Sequence, residues 1–145
     1  MTTIEEPTMG RFSVDVELAN HNDLFRAEAG LISPQEVRRA RVRGVVNSGA
    51  TRLVIPAAVA QQLGLEMAGN AKVRYADGRT AERPIAKDVH LTYGGRDSVF
   101  NAIVETGRES ALIGAIVLED LDFVVDCSTQ RLVPRDPKQI VSEVE

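Results

Sequence analysis

The stretch VVNSGATRLVIP, residues 45–56, runs from an apolar strand end through a pentad of small and polar residues into a second apolar run. Asn47-Ser48-Gly49-Ala50-Thr51 therefore reads as a tight loop at the end of a buried strand. Gly49 and Ala50 are small enough to let a second backbone come close. Downstream, PAAVAQQLGL (residues 56–65) offers Pro56 at a first helical position and Gly64 as an exit, with Val59 and Leu63 on one face. A short helix is expected there. Upstream, strand character extends from Val37 to Val46. Arg39, Arg41 and Arg43 alternate with Ala40, Val42 and Gly44, which is the period of a strand with one wet face rather than of a phosphate site.

The rest of the chain continues in short strands. Phe12, Val14, Val16 and Leu18 alternate with Ser13, Asp15 and Glu17, a half-buried strand beginning at Arg11. Residues 19–36 break that alternation with Asn, Asp, Gly and Pro and read as a connection with one helical turn. Ala71, Val73 and Tyr75 alternate with Lys72 and Arg74 before Asp77-Gly78, a strong hairpin signal. Strands are next expected over residues 88–93 and 98–105, joined by Gly94-Gly95-Arg96-Asp97. ALIGAIVLEDL (residues 111–121) passes through Gly114 into helical spacing, with Val117, Leu118 and Leu121 facing inward. Two strand-like pieces, DFVVD and RLVP, close the pattern around the turn CSTQ. Short strands between turns, with two short helices, indicate a mainly β domain of barrel or sandwich type.

Composition narrows the function classes. The chain has 145 residues, 43% hydrophobic and 26% charged, enough for one domain. Its 17 basic and 21 acidic residues give a formal charge of -4, no footprint for bulk nucleic-acid binding. A single cysteine, Cys127, excludes an internal disulfide and a cysteine metal cluster, and its thiol is expected to be buried or half-buried. His21 and His90 lack metal-ligand partners at useful spacing and read as surface residues. No cofactor or metal is expected. Without a signal-like N-terminus or a long apolar run, the expected setting is soluble and cytoplasmic, with no membrane partner. Residues 1–10 read as a loose arm, 11–134 as the domain and 135–145 as a tail.

With Asp in place of Asn47 the pentad would read D-S-G-A-T, and the chain resembles the retropepsin-like aspartic proteases, the retroviral-type family with the signature D-[ST]-G-A-[ST]. The similarity extends to a flap hairpin, matched by VRYADGRTAE (residues 73–82), and to an apolar-apolar-Gly motif opening a helix, matched by LIGAIVLEDL (residues 112–121). FVVDCSTQRLV (residues 123–133) is similar to the closing strands, so the resemblance covers residues 11–134. It implies a single-lobe barrel and a homodimer with one active site at the two-fold axis. The residue count agrees: the nearest second catalytic candidate, Asp126-Cys127-Ser128, lacks the glycine and reads as a strand-end turn.

The resemblance also implies the roles. Asn47 occupies the catalytic position, Ser48 cross-links the two loops, and Gly49 and Ala50 line the base of the cleft. Substrate contacts are implied at Ala50 and Thr51, at the hairpin residues Tyr75, Ala76, Asp77 and Gly78, and at Ile113 and Gly114. The hairpin would meet the main chain of an extended, apolar peptide; Asp77 itself reads as turn chemistry.

Hydrolysis in this family needs two carboxylates sharing one proton, one drawing a proton from the attacking water and the other stabilising the oxyanion. The Asn47 amide has the shape of a carboxylate but no basic oxygen and two N–H donors. The expectation is therefore an aspartic endopeptidase inactivated by Asn47. The alternative is a non-cleaving peptide-binding or dimerisation module with the same fold.

Overall fold

Alternation along the first strand sets the architecture. In the computed structural model, which describes residues 11–145, β1 (Arg11–Asn20) pairs antiparallel with β2 (Arg39–Asn47), from Arg11 opposite Asn47 to Ala19 opposite Arg39. The arm expected over residues 1–10 lies outside the described residues. Val16, Leu18 and Val42 face inward, while Arg39, Arg41 and Arg43 lie on the wet face, as their period requires.

β3 (Leu53–Pro56), β4 (Met67–Arg74), β5 (Thr80–Tyr93), β6 (Arg96–Glu105) and β7 (Ala111–Ile113) complete a seven-stranded sheet in the order β1-β2-β7-β3-β6-β5-β4. β5 also pairs with β1, from Glu17 opposite Thr92 to Asn20 opposite Val89, so the sheet curls into a six-stranded barrel with β4 outside the closure. The seam that closes the barrel is short, since β1 meets β5 only over Glu17–Asn20. Leu18, Leu53, Ile55, Leu91 and Ile113 fill the interior, and each such buried side chain contributes about 1.5–3 kcal/mol.

β5 is one strand where two were expected. Its first half forms the hairpin with β4 and its second half is a barrel strand. The register against β6 shifts between Ala86 and Val89, where Asp88 has φ 60°, so the break visible in the sequence is a bulge.

Among the described residues three helices form, where two were expected. α2 (Ala57–Leu63) ends at Gly64 in the left-handed conformation, and α3 (Ala115–Leu121) starts from Gly114 and buries Val117, Leu118 and Leu121. The additional one, α1 (His21–Glu28), lies in the segment expected to hold a single turn, and Pro34–Glu36 adds a 3-10 turn. The polar residues that broke the strand pattern cap this helix: Asn20 Oδ1 accepts the Asp23 N–H at 3.0 Å. Asn20 Nδ2 also donates to the Leu63 carbonyl at 2.9 Å, tying α1 to the end of α2.

β8 (Phe123–Asp126) and β9 (Arg131–Pro134) form a separate hairpin, seated by an edge-to-face contact of Phe123 with Tyr93 at 5.4 Å. Cys127 is exposed, contrary to expectation, because it occupies the β8–β9 turn, where Asp126 accepts the Ser128 and Thr129 N–H groups. The tail is irregular and folds back on Asp122, which accepts the Val141 N–H at 3.1 Å and pairs with Arg135 at 2.8 Å. No helix among the described residues is long and apolar enough to cross a membrane.

Candidate active site

Asn47 is the last residue of β2 and is half-buried. Its Oδ1 accepts the Gly49 N–H at 2.9 Å and its carbonyl accepts the Ala50 N–H at 3.1 Å, so side chain and backbone both close the turn. Ser48 and Gly49 are exposed at the rim of the loop, Ala50 is half-buried and Thr51 is exposed.

The loop rests on the start of α3. Ala115 N–H donates to the Ala50 carbonyl at 2.8 Å and Ile116 N–H to that of Thr51 at 2.9 Å. These are orphan donors of the first helical turn, so the loop both caps the helix and is held by it. Gly114 permits the approach: a Cβ there would lie 2.5 Å from the Arg52 carbonyl oxygen.

The β4–β5 hairpin turns at Asp77-Gly78, with Gly78 at φ +90° and Tyr75 N–H donating to the Arg79 carbonyl at 2.8 Å. The Arg79 backbone N–H, and then its guanidinium at 2.8 Å, hold the Asp77 carboxyl below its usual range. Asp77 is thus a turn residue, as its sequence context indicated.

Between loop and hairpin runs an open groove of about 530 Å³. Gly49, Ala50 and Thr51 line its loop side, Val73 and Tyr75 its hairpin side, and Val54 and Leu112 its floor. Tyr75 donates its hydroxyl to Glu105 Oε2 at 2.5 Å, and Arg83 Nε donates to Glu105 Oε1 at 3.0 Å. Glu105, accepting that hydrogen bond, raises the Tyr75 phenol above its ordinary value and keeps it protonated. The guanidinium groups of Arg79 and Arg83 lie 5.0 and 5.8 Å from the centre of the Tyr75 ring.

No family model and no curated relative matches the sequence. Among solved structures, the chain is similar to the retroviral protease-like domain of Ddi1 from Leishmania major, at TM-score 0.51 and 16% identity over 89% of this chain and 90% of that one. A retropepsin-like aspartic protease from Rickettsia conorii aligns at TM-score 0.48 and 16% identity over 85% and 80% of the two chains. The fold is retropepsin-like.

Within this retropepsin-like barrel, the expected site residues separate into two groups. Asn47, Ser48, Gly49, Ala50, Thr51, Gly114 and Tyr75 gather around the loop and its groove. Ile113 does not: it is 1% exposed, with its side chain packed in the core beside Gly44, and its neighbour Leu112 lines the groove instead. Strand alternation decides this, since adjacent residues of β7 face opposite ways. Ala76, Asp77 and Gly78 form the exposed hairpin tip and do not line the groove. Glu105 and Arg83 were not singled out in the sequence, because they stand far from the motif and converge only through the pairing of β5 with β6.

The histidines are half-buried. His90 Nε2 lies 2.8 Å from Asp97 Oδ2, and His21 Nδ1 is buried with no hydrogen-bond partner among the described residues. Among the described residues no cluster of His, Cys, Asp or Glu is arranged to hold a metal ion.

Proposed function

We propose that this chain is one half of a homodimeric aspartic endopeptidase whose catalytic carboxylate is replaced by Asn47, so that the protein with this sequence grips extended peptides without cutting them. The observation that carries the reading is the placement of Asn47: its Oδ1 is fixed by the Gly49 N–H beside a groove roofed by a hairpin. A carboxylate at this position would accept the same N–H and keep its second oxygen for a water.

With one such loop per chain, the reaction takes two chains. The ionised carboxylate of one loop removes a proton from water as the water oxygen bonds to the scissile carbonyl carbon. The protonated carboxyl of the other stabilises the new oxyanion and then protonates the departing amine as the C–N bond breaks. An amide at both positions can hold the water or the carbonyl but has no basic oxygen to take the proton.

The test is Asn47→Asp beside the unchanged chain, each incubated with a peptide mixture between about pH 4 and 7, the range where a shared proton is available, with new termini read by mass spectrometry. Cuts made only by the Asp form are expected. A folded, dimeric Asp form that makes none would leave the non-cleaving peptide-binding module as the better account.

A further inference from the structure

The groove differs from the rest of the molecule in charge. The chain carries a formal charge of -4, yet the charged residues lining the groove are Arg52, Lys72, Arg74, Arg108 and Glu105, four cations and one acid. That acid is engaged: the Glu105 side chain is 13% exposed and is bonded by both Arg83 and Tyr75. None of the four cations forms an ion pair among the described residues. Arg108 is held by neutral groups, donating from Nε to the Ser110 carbonyl at 2.6 Å, so its orientation is set and its charge is not cancelled.

We infer that the groove selects peptide segments in which acidic residues alternate with apolar ones, and this inference rests on the peptide-cleft reading above. An extended peptide points successive side chains in opposite directions. One set meets the aliphatic floor of Val54 and Leu112, and the other meets the hairpin side, whose lining includes Lys72 and Arg74, with Arg52 lining the loop side. The wholly apolar substrate expected from the family resemblance would leave those cations without anionic partners. A single-stranded nucleic acid fits less well, because such a ligand is held by stacking its bases on exposed aromatic faces. Among the described residues the one aromatic ring lining the groove, that of Tyr75, has Arg79 and Arg83 against it.

The experiment uses the Asn47 chain as it stands, which should bind without turnover. End-capped, fluorescein-labelled peptides of alternating Val-Glu, Val-Gln and Val-Lys are compared by anisotropy, with a labelled oligothymidylate as a fourth probe. Two or three exposed ion pairs, each worth a few-fold, should make the Glu peptide bind about tenfold tighter than the Gln peptide. That advantage should shrink at about 0.5 M salt. The double variant Lys72→Glu/Arg74→Glu, checked for folding by circular dichroism, should transfer the preference to the Lys peptide. Should it not fold, Lys72→Gln is expected to narrow the gap between the Glu and Gln peptides. Equal binding of the Glu and Gln peptides would overturn the acidic preference and leave the peptide cleft standing, as would an oligothymidylate that binds as well as the Glu peptide. No binding of any peptide would remove the cleft reading itself.

Discussion

Gly114 and Arg52 stand so close that a methyl group on the first would lie 2.5 Å from the carbonyl oxygen of the second. The obstruction is backbone, which cannot swing aside as a side chain can. Gly114→Ala must therefore separate the Asn47 loop from α3 and strain the Ala115 and Ile116 hydrogen bonds to it. A loss of about 1–3 kcal/mol is expected, the usual cost of overpacking. Urea denaturation would measure it, and a variant as stable as the parent would show that the loop is not braced by α3.

Restoring the carboxylate should also set a pH window. In the dimer proposed above, the two carboxyls introduced by Asn47→Asp would titrate as a pair, so activity is expected to fall at low pH when both are protonated and at higher pH when both are ionised. The dependence of kcat/KM on pH should be bell-shaped with its maximum on the acid side of neutrality. A rate that rises without limit towards alkaline pH would point to a different base.

The hydroxyl of Tyr75 reports on the root of the hairpin. Its ionisation lies above the ordinary tyrosine range because Glu105 accepts its proton in a hydrogen bond. In a Tyr93→Phe background, where Tyr75 is the one remaining tyrosine, an ultraviolet titration should show a late transition that moves down in Glu105→Gln. The folded value exceeds the unfolded one, so this group stabilises the protein below the unfolded value and loses that contribution as pH rises through the folded value. A transition unmoved by Glu105→Gln would mean that the bond is absent in solution.

Away from the groove, Asp23 is 4% exposed and takes two bonds from the Arg38 guanidinium, at 2.8 and 2.9 Å, besides the Arg38 backbone N–H at 3.0 Å. The guanidinium lowers the Asp23 carboxyl from its ordinary value of 3.8. Arg38→Ala would leave the buried carboxylate with Arg26 as its one cation and the backbone N–H of residue 38, at a cost of about 1–3 kcal/mol at neutral pH. Because the folded value is depressed, the stabilisation is present above 3.8 and is lost as pH falls through the folded value. Denaturation curves of parent and variant should therefore converge in acid; a gap that persists at low pH would assign the loss to packing.

Much of this was legible because local patterns carried it. The alternation from Phe12 to Leu18, the Asp77-Gly78 turn and the helical spacing after Gly114 each fixed an element within a residue or two. What escaped depended on partners distant in sequence. α1 was hidden by Asn20 and Asp23, which look like loop residues until the cap and the Arg38 pairing are seen. The unity of β5 was hidden by Asp88, whose left-handed backbone only a bulge explains. At the site, the Asn47 loop was readable as a motif. The charge of the groove was not, since Arg52, Lys72 and Arg108 come from separate segments and meet through the fold.

The unbroken course of β5 has a mechanical meaning. The fourteen residues from Thr80 to Tyr93 run from the hairpin turn to the seam where the barrel closes on β1. A load on the turn directed along the strand is borne in shear by the seam's hydrogen bonds acting together, not peeled off one at a time. A load across the strand finds its compliant point at Asp88, where the ladder to β6 is interrupted. The roof of the groove is in effect a cantilever clamped in the barrel wall, able to flex over its outer part without loosening the closure that anchors it.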